Sequence, residues 1–265
     1  MFGFLRSASK PVVPKVRRIG VDWGMEAVIA VLLDEQGHPL DLRQIEAPPE
    51  DPEEHFRGLD DLLKDWPLSE SQMVVSLTRD YHLATLELAE VSAQTIGEKV
   101  SGQLHYDSDQ ASFAWWKLDS GRVVSVTYPS QLLQELSRQC AHFSARSVHF
   151  EATELAQARL LQTMDLPVGL LTVHQDLLQL TLYSAKDFDT LIQSTAVLGI
   201  EQMLTIGLER WKQRGQEAPN KLVTNLSPDY LERISQFPCE RLEEEAVAFH
   251  LALSPQGPHR FESTV

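Results

Sequence analysis

Residues 19–33 read Ile-Gly-Val-Asp-Trp-Gly-Met-Glu-Ala-Val-Ile-Ala-Val-Leu-Leu. A glycine-flanked aspartate, Asp22, ends a short strand; Gly24, Met25 and Glu26 make a tight turn; an unbroken apolar run over 27–33 returns as a buried strand. The pattern places one carboxylate at the mouth of a hairpin. Downstream, Asp34-Glu-Gln-Gly-His-Pro39 supplies turn chemistry before a further strand over 40–47. After the Pro-rich stretch 47–52, His55, Leu59, Leu62, Leu63 and Trp66 recur at helical spacing until Pro67 closes the segment. A short strand over 73–78 follows. Strands, a crossover helix and another strand predict a mixed sheet covered by helices, the α/β pattern.

Residues 83–150 change order. The spacing predicts a strand over 83–88, a helix over 92–105, strands over 111–118 and 122–127, a helix over 130–143 and a strand over 146–150. That is β-α-β-β-α-β, a ferredoxin-like arrangement. Asp119-Ser-Gly121 forms its central turn, and Pro129 stands where a helix can begin. An alanine- and leucine-rich helix over 151–162 leads into strands over 169–173, 177–184 and 190–196. An amphipathic helix over 200–214 carries Met203, Leu204, Ile206, Leu208 and Trp211. A strand over 221–226 and helices over 229–236 and 246–253 complete the order, and the tail beyond Pro255 is expected to fray.

Composition narrows the function. The 265 residues carry a net charge of −15, yet Arg6, Lys10, Lys15, Arg17 and Arg18 crowd the first twenty, which hold no acid. An acidic body repels nucleic acid. The basic leader, with Phe2, Phe4 and Leu5, suits a solvated arm or a weak contact with an anionic membrane surface. The longest apolar run falls far short of the roughly 20 residues a spanning helix needs, and no secretory signal is recognisable. Cys140 and Cys239 stand far apart and are expected to be buried reduced thiols rather than a disulfide or zinc pair.

Common catalytic patterns are missing. There is no Gly-x-Ser-x-Gly, no Gly-x-Gly-x-x-Gly and no Gly-Lys-Ser/Thr phosphate loop. His105, His142 and His149 share one unit without metal spacing, Asp107 and Asp109 read as solvated turn acids, and 243–245 reads as the charged start of the last helix. In a strand, one of Trp115 and Trp116 must face outward; it covers a helix of its own lobe or anchors an interface.

Taken together, the basic leader, the Gly20-Val-Asp22-Trp-Gly24 turn, the inserted unit and the second β-rich lobe resemble PilM-type proteins, the actin-like components of type IV pilus assembly. Similar domains occur in the mannose-sensitive haemagglutinin pilus system and in type II secretion. The resemblance spans roughly residues 1–254 and rests on Met-Phe-Gly-Phe-Leu at the start, on 19–24, 96–106, 123–161 and 246–253. It implies a two-lobed actin-like α/β fold with the β-α-β-β-α-β unit inserted. The divisions expected are a leader over 1–18, a first lobe over 19–82 and 151–165, the insert over 83–150, a second lobe over 166–254 and a flexible tail over 255–265.

The resemblance also implies an ATP site between the lobes, and here the residues depart from the pattern. Gly20, Asp22 and Gly24 match the first phosphate loop, but Met25 and Glu26 replace its two hydroxyl residues. Methionine offers no donor to phosphate, and glutamate adds like charge. Thr172 and His174 fall where the second loop needs Asp and Gly, and Asp176 lies too far on to replace the carboxylate. Val223-Thr-Asn-Leu-Ser-Pro228 replaces a glycine-rich turn at the adenosine. The expected protein is therefore a non-catalytic cytoplasmic adaptor with no cofactor, no metal and no nucleic acid, at the inner face of the bacterial inner membrane. By resemblance it would hold the cytoplasmic tail of a PilN-type bitopic membrane protein, linking it to motor ATPases, in a groove between the 73–78 strand and the 83–106 strand-helix. The alternative is a nucleotide-binding actin-like ATPase working through Gly20, Asp22 and Gly24.

Overall fold

A computed structural model describes residues 16–23, 27–46, 52–77, 81–118, 120–174, 177–184, 186–243, 246–253 and 262–263. The first half builds a five-stranded sheet. Strands β1 (Arg17–Trp23), β2 (Ala27–Leu33) and β3 (Pro39–Glu46) form an antiparallel meander. Helix α1 (Pro52–Leu63) crosses to β4 (Ser71–Leu77), which lies parallel to β1. The sheet is completed by β8 (Ser147–Ala152), giving the order β3-β2-β1-β4-β8. Six of the seven β2 residues are buried, because both faces of the sheet are covered. The edge strand β3 instead alternates exposed and half-buried positions.

Between β4 and β8 the chain makes β5 (His82–Leu86), α2 (Ala93–Val100), β6 (Ala111–Lys117), β7 (Val123–Pro129) and α3 (Ser130–Cys140). The element order is the one expected, but the sixth element leaves the unit: β8 pairs with β4 in the first-lobe sheet. The insert's own sheet is β14-β6-β7-β5, and its outer strand is β14 (Glu262–Ser263) from the far end of the chain. Residues 262 and 263 are thus paired rather than frayed; 254–261 lie outside the described residues. Helix α2 is shorter than expected because a 3-10 turn replaces its end at 101–103. Its start is fixed by Ser92, whose Oγ accepts from the Thr95 amide while Thr95 Oγ1 accepts from the Ser92 amide.

Helix α4 (Thr153–Gln162) carries the chain into a second sheet of the same design. Strands β9 (Val168–His174), β10 (Leu177–Tyr183) and β11 (Phe188–Ser194) form the meander. After α5 (Ile200–Gln213), β12 (Lys221–Thr224) lies parallel to β9. Helix α6 (Pro228–Arg233) and β13 (Cys239–Arg241) follow, giving β11-β10-β9-β12-β13. Each lobe therefore repeats one topology, an antiparallel three-strand meander whose first strand pairs with one parallel strand, which in turn carries a second. Helix α7 (Ala246–Ala252) returns to the first lobe and packs on β1, β2 and α4.

Three of the buried clusters among the described residues hold these layers together. One lies between the first sheet, α1 and the α3 region and includes Ile19, Val21, Leu59, Met73 and Phe150. Another packs Met203, Leu204 and Trp211 of α5 onto β9 and β10. The third joins α4 to the second sheet and the insert through Ala158, Leu161, Leu170, Phe188 and Val124. Trp116 belongs to this seam, meeting Phe188 edge-on at 5.8 Å. Trp115 packs on the α2 cluster, so both tryptophans are taken up within the molecule. Both cysteines are free; Cys140 is buried as expected, whereas Cys239 is exposed because it sits on the short edge strand β13.

Candidate functional site

The seam between the lobes collects polar side chains in an otherwise apolar interior. Asp22 sits near the end of β1, and the Ser76 hydroxyl of neighbouring β4 donates to its Oδ1 at 2.7 Å. The same Ser76 oxygen accepts from the Trp23 amide at 2.9 Å, so β4 fixes both the carboxyl and the backbone beside it. Helix α4 contributes Glu154 and Gln157, each at most 3% exposed. From the second lobe, the Gln179 amide nitrogen faces Gln157 Oε1 at 3.0 Å, Thr181 Oγ1 at 3.2 Å and Glu154 Oε1 at 3.5 Å. One amide has two hydrogens for three acceptors, so the longest contact, to Glu154, is the weakest.

Burial dominates the electrostatics. Desolvation raises Asp22 from 3.8 to about 6, with the Ser76 hydroxyl pulling the other way. Glu154 is raised from 4.5 to about 7, chiefly by burial; the Tyr81 hydroxyl and its own backbone amide oppose this, and the charge of Asp22 adds to it. Tyr81 is itself pushed well up by burial and then by Glu154. Both carboxyls therefore hold their protons to higher pH than ordinary side-chain acids, Glu154 up to about neutrality and Asp22 to about one unit below it.

The expected site residues fall into two groups. Asp22 is where the sequence places it. Gly20 is not at the turn: it lies in mid-strand, and a Cβ there would stand 1.9 Å from Ala248 O and 2.6 Å from Ala252 N. Its lack of a side chain lets α7 rest directly on β1, which is a packing role. Gly24, Met25 and Glu26, together with Asp176, lie outside the described residues, as does the side chain of His174. Thr172 is fully buried on β9, its hydroxyl without a hydrogen-bond partner among the described residues. Past β12, Asn225 replaces strand pairing with its own amide: Oδ1 accepts from the Val173 amide and Nδ2 donates to its carbonyl, both at 2.9 Å. It thereby staples the end of β9.

These residues fit a magnesium nucleotide poorly. Among the described residues, the seam's carboxyls, Asp22 and Glu154, come from the first lobe and α4, while the second lobe presents Thr172 and Gln179 where the resemblance expects a carboxylate. Glu154, Gln157 and Gln179 were not legible as site residues in the sequence. A signal existed only in the polar residues interrupting the apolar face of α4. In the groove expected between β4 and the insert, β1 and β8 occupy both edges of β4, so a peptide held there would rely on side-chain pockets rather than on pairing with β4. Among the described residues, no three His, Cys, Asp or Glu side chains group to hold a metal, and no helix is long and apolar enough to cross a membrane.

Two sheets of one topology, joined by α4 and α7 with a carboxyl at the first hairpin, define the actin-like ATPase fold. The PilM-like resemblance read from the sequence holds at this level. The structure superposes on a PilM–PilN type IV pilus biogenesis complex with a TM-score of 0.65 and 13% identity, covering 91% of this chain and 98% of that one. The cytoplasmic domain of EpsL, an inner-membrane component of the Vibrio cholerae type II secretion system, gives 0.59 and 10%, covering 91% and 97%. An actin-like ATPase-fold protein of Bacteroides thetaiotaomicron gives 0.58 and 12%, covering 89% and 96%. No protein-family model and no curated protein matches the sequence.

Proposed function

We propose that this chain is a non-catalytic, cytoplasmic adaptor of a pilus- or secretion-type assembly platform, and that it holds the cytoplasmic tail of a PilN-type bitopic inner-membrane protein. The fully buried Thr172 carries the reading: where the resemblance expects a carboxylate in the second lobe, β9 brings a hydroxyl. The likeness in fold to PilM and to the EpsL cytoplasmic domain supports the platform role. Motor ATPases are the expected cytoplasmic neighbours. Calorimetric titration with ATP and magnesium tests it, together with a pull-down from bacterial membranes. No ATP heat and recovery of a bitopic protein with a short cytoplasmic N-terminus support the adaptor. Micromolar ATP affinity that vanishes in Asp22→Ala overturns it in favour of a nucleotide-binding ATPase.

A further inference from the structure

The insert and the second lobe enclose a slot of about 210 Å³. Strand β5 and Gln103 line one side; Asp189 and Thr190 of β11, with Arg210 and Arg214 from the end of α5, line the other. The strands already touch, since Thr85 Oγ1 donates to the Phe188 carbonyl at 3.5 Å and Leu83 packs on the cluster that holds Phe188. The slot is therefore closed to a chain segment. A single water needs on the order of 10–15 Å³, so there is room for several waters or for one ion of a few heavy atoms.

Charge around it is unbalanced. Arg210 Nη2 and Arg214 Nη2 share a single buried carboxylate, Asp189, at 2.5 and 3.1 Å. The buried Asp187 is taken by Arg122, whose Nη1 reaches both of its oxygens. Three guanidiniums thus face two carboxylates, and Arg214 Nη1 and Arg122 Nε are buried without a hydrogen-bond partner among the described residues. A buried N–H with nothing to donate to is costly, and it marks a place for an acceptor. Burial pulls Arg214 below the usual guanidinium value; Asp189 and Asp187 oppose this, and Arg122 and Arg210 add to it. Gln179 donates to Thr181 Oγ1 at 3.2 Å, so the Thr181 hydroxyl can donate in turn to Thr190 at 3.1 Å and leave Thr190 a hydrogen for a ligand.

We infer that this slot binds a small tetrahedral oxyanion of the phosphate class, held by Arg214 and Arg210 with Thr190 and Gln103 as further donors. Guanidinium forks match phosphate oxygens. Donors from α5, β11 and the insert surround the ion, which suits a tetrahedral anion better than a planar carboxylate. Bound there, it bridges the insert to the second lobe and stabilises their contact by mass action. Free phosphate and the end of a small phosphomonoester share this chemistry. The inference does not rest on the adaptor reading or on the seam at Asp22.

The test uses the full chain and sodium phosphate at constant ionic strength, read by calorimetry and by amide hydrogen exchange. Saturable millimolar binding is expected, with added protection at 188–190 and 210–214. Arg214→Gln should weaken it about tenfold, as loss of a charged partner does. Arg138→Gln, which removes an equal charge from the exposed pair with Glu135 on α3, should leave it unchanged. Asp189→Asn should tighten it several-fold, because it frees two guanidiniums; this opposite sign carries the test if Arg214→Gln fails to fold. Glycerol 3-phosphate separates the sources: binding at least as tight as that of phosphate supports a phosphomonoester ligand, and weaker or absent binding supports the free ion. No saturation at tens of millimolar phosphate overturns the inference. So does an equal response to chloride, tighter binding of malonate, protection at 19–23 in place of the slot, or binding unchanged in both Arg214→Gln and Asp189→Asn.

Discussion

Glu154→Gln should make this protein more stable at alkaline pH and leave it almost unchanged in acid. Glu154 is 2% exposed and is raised from 4.5 to about 7 in the folded chain. A carboxyl raised on folding favours the fold while both states hold the proton. That stability is fully present below the unfolded value near 4.5 and is lost as pH climbs to about 7, since the unfolded chain releases its proton first. At about 1.4 kcal/mol for each unit, a shift of that size costs about 3 kcal/mol at pH 8. Glutamine keeps an acceptor for Tyr81 and removes the charge, so the cost disappears. Reversible denaturant unfolding of both proteins at pH 4.5 and pH 8 gives the answer as a difference of differences, in which any pH-independent effect of the amide cancels. The variant should gain about 3 kcal/mol on the wild type between the two pH values, or about 6–12 °C in Tm. An equal effect at both pH values would refute the reasoning, because it would mean that Glu154 is paired or solvated in the fold.

Other perturbations follow from single contacts. Gly20→Ala should lower stability by about 3 kcal/mol or more, read as a drop in Tm at every pH, since its Cβ would strike the α7 backbone at Ala248 and Ala252, which cannot rotate away. Arg122→Met should cost about 3–5 kcal/mol by leaving Asp187, 2% exposed, without its bidentate partner; adding Asp187→Asn should restore part of that in a double-mutant cycle. Asn225→Ala should cost about 1 kcal/mol in denaturant unfolding, because the Val173 amide and carbonyl it staples are solvent-accessible once released.

The lobes, their order and most element positions were written in local patterns. The apolar run of β2, the turn at 34–39, Pro67 after α1 and the amphipathic face of α5 each constrain their own segment, and a carboxyl at a hairpin mouth marked Asp22. The departures at Thr172 and around Asn225 were also visible as residue types. What the sequence could not decide was which segments meet. Nothing local tells β8 to leave the insert for β4, or carries residues 262–263 to the edge of β6, because strand partners are chosen by edges that exist only after the sheets form. Gly20 looked like part of a phosphate loop until α7, more than two hundred residues away, was found resting on it. The raised carboxyls of Asp22 and Glu154 likewise arise from desolvation where two lobes close over them, and burial is a property of the packed molecule rather than of any stretch of its chain.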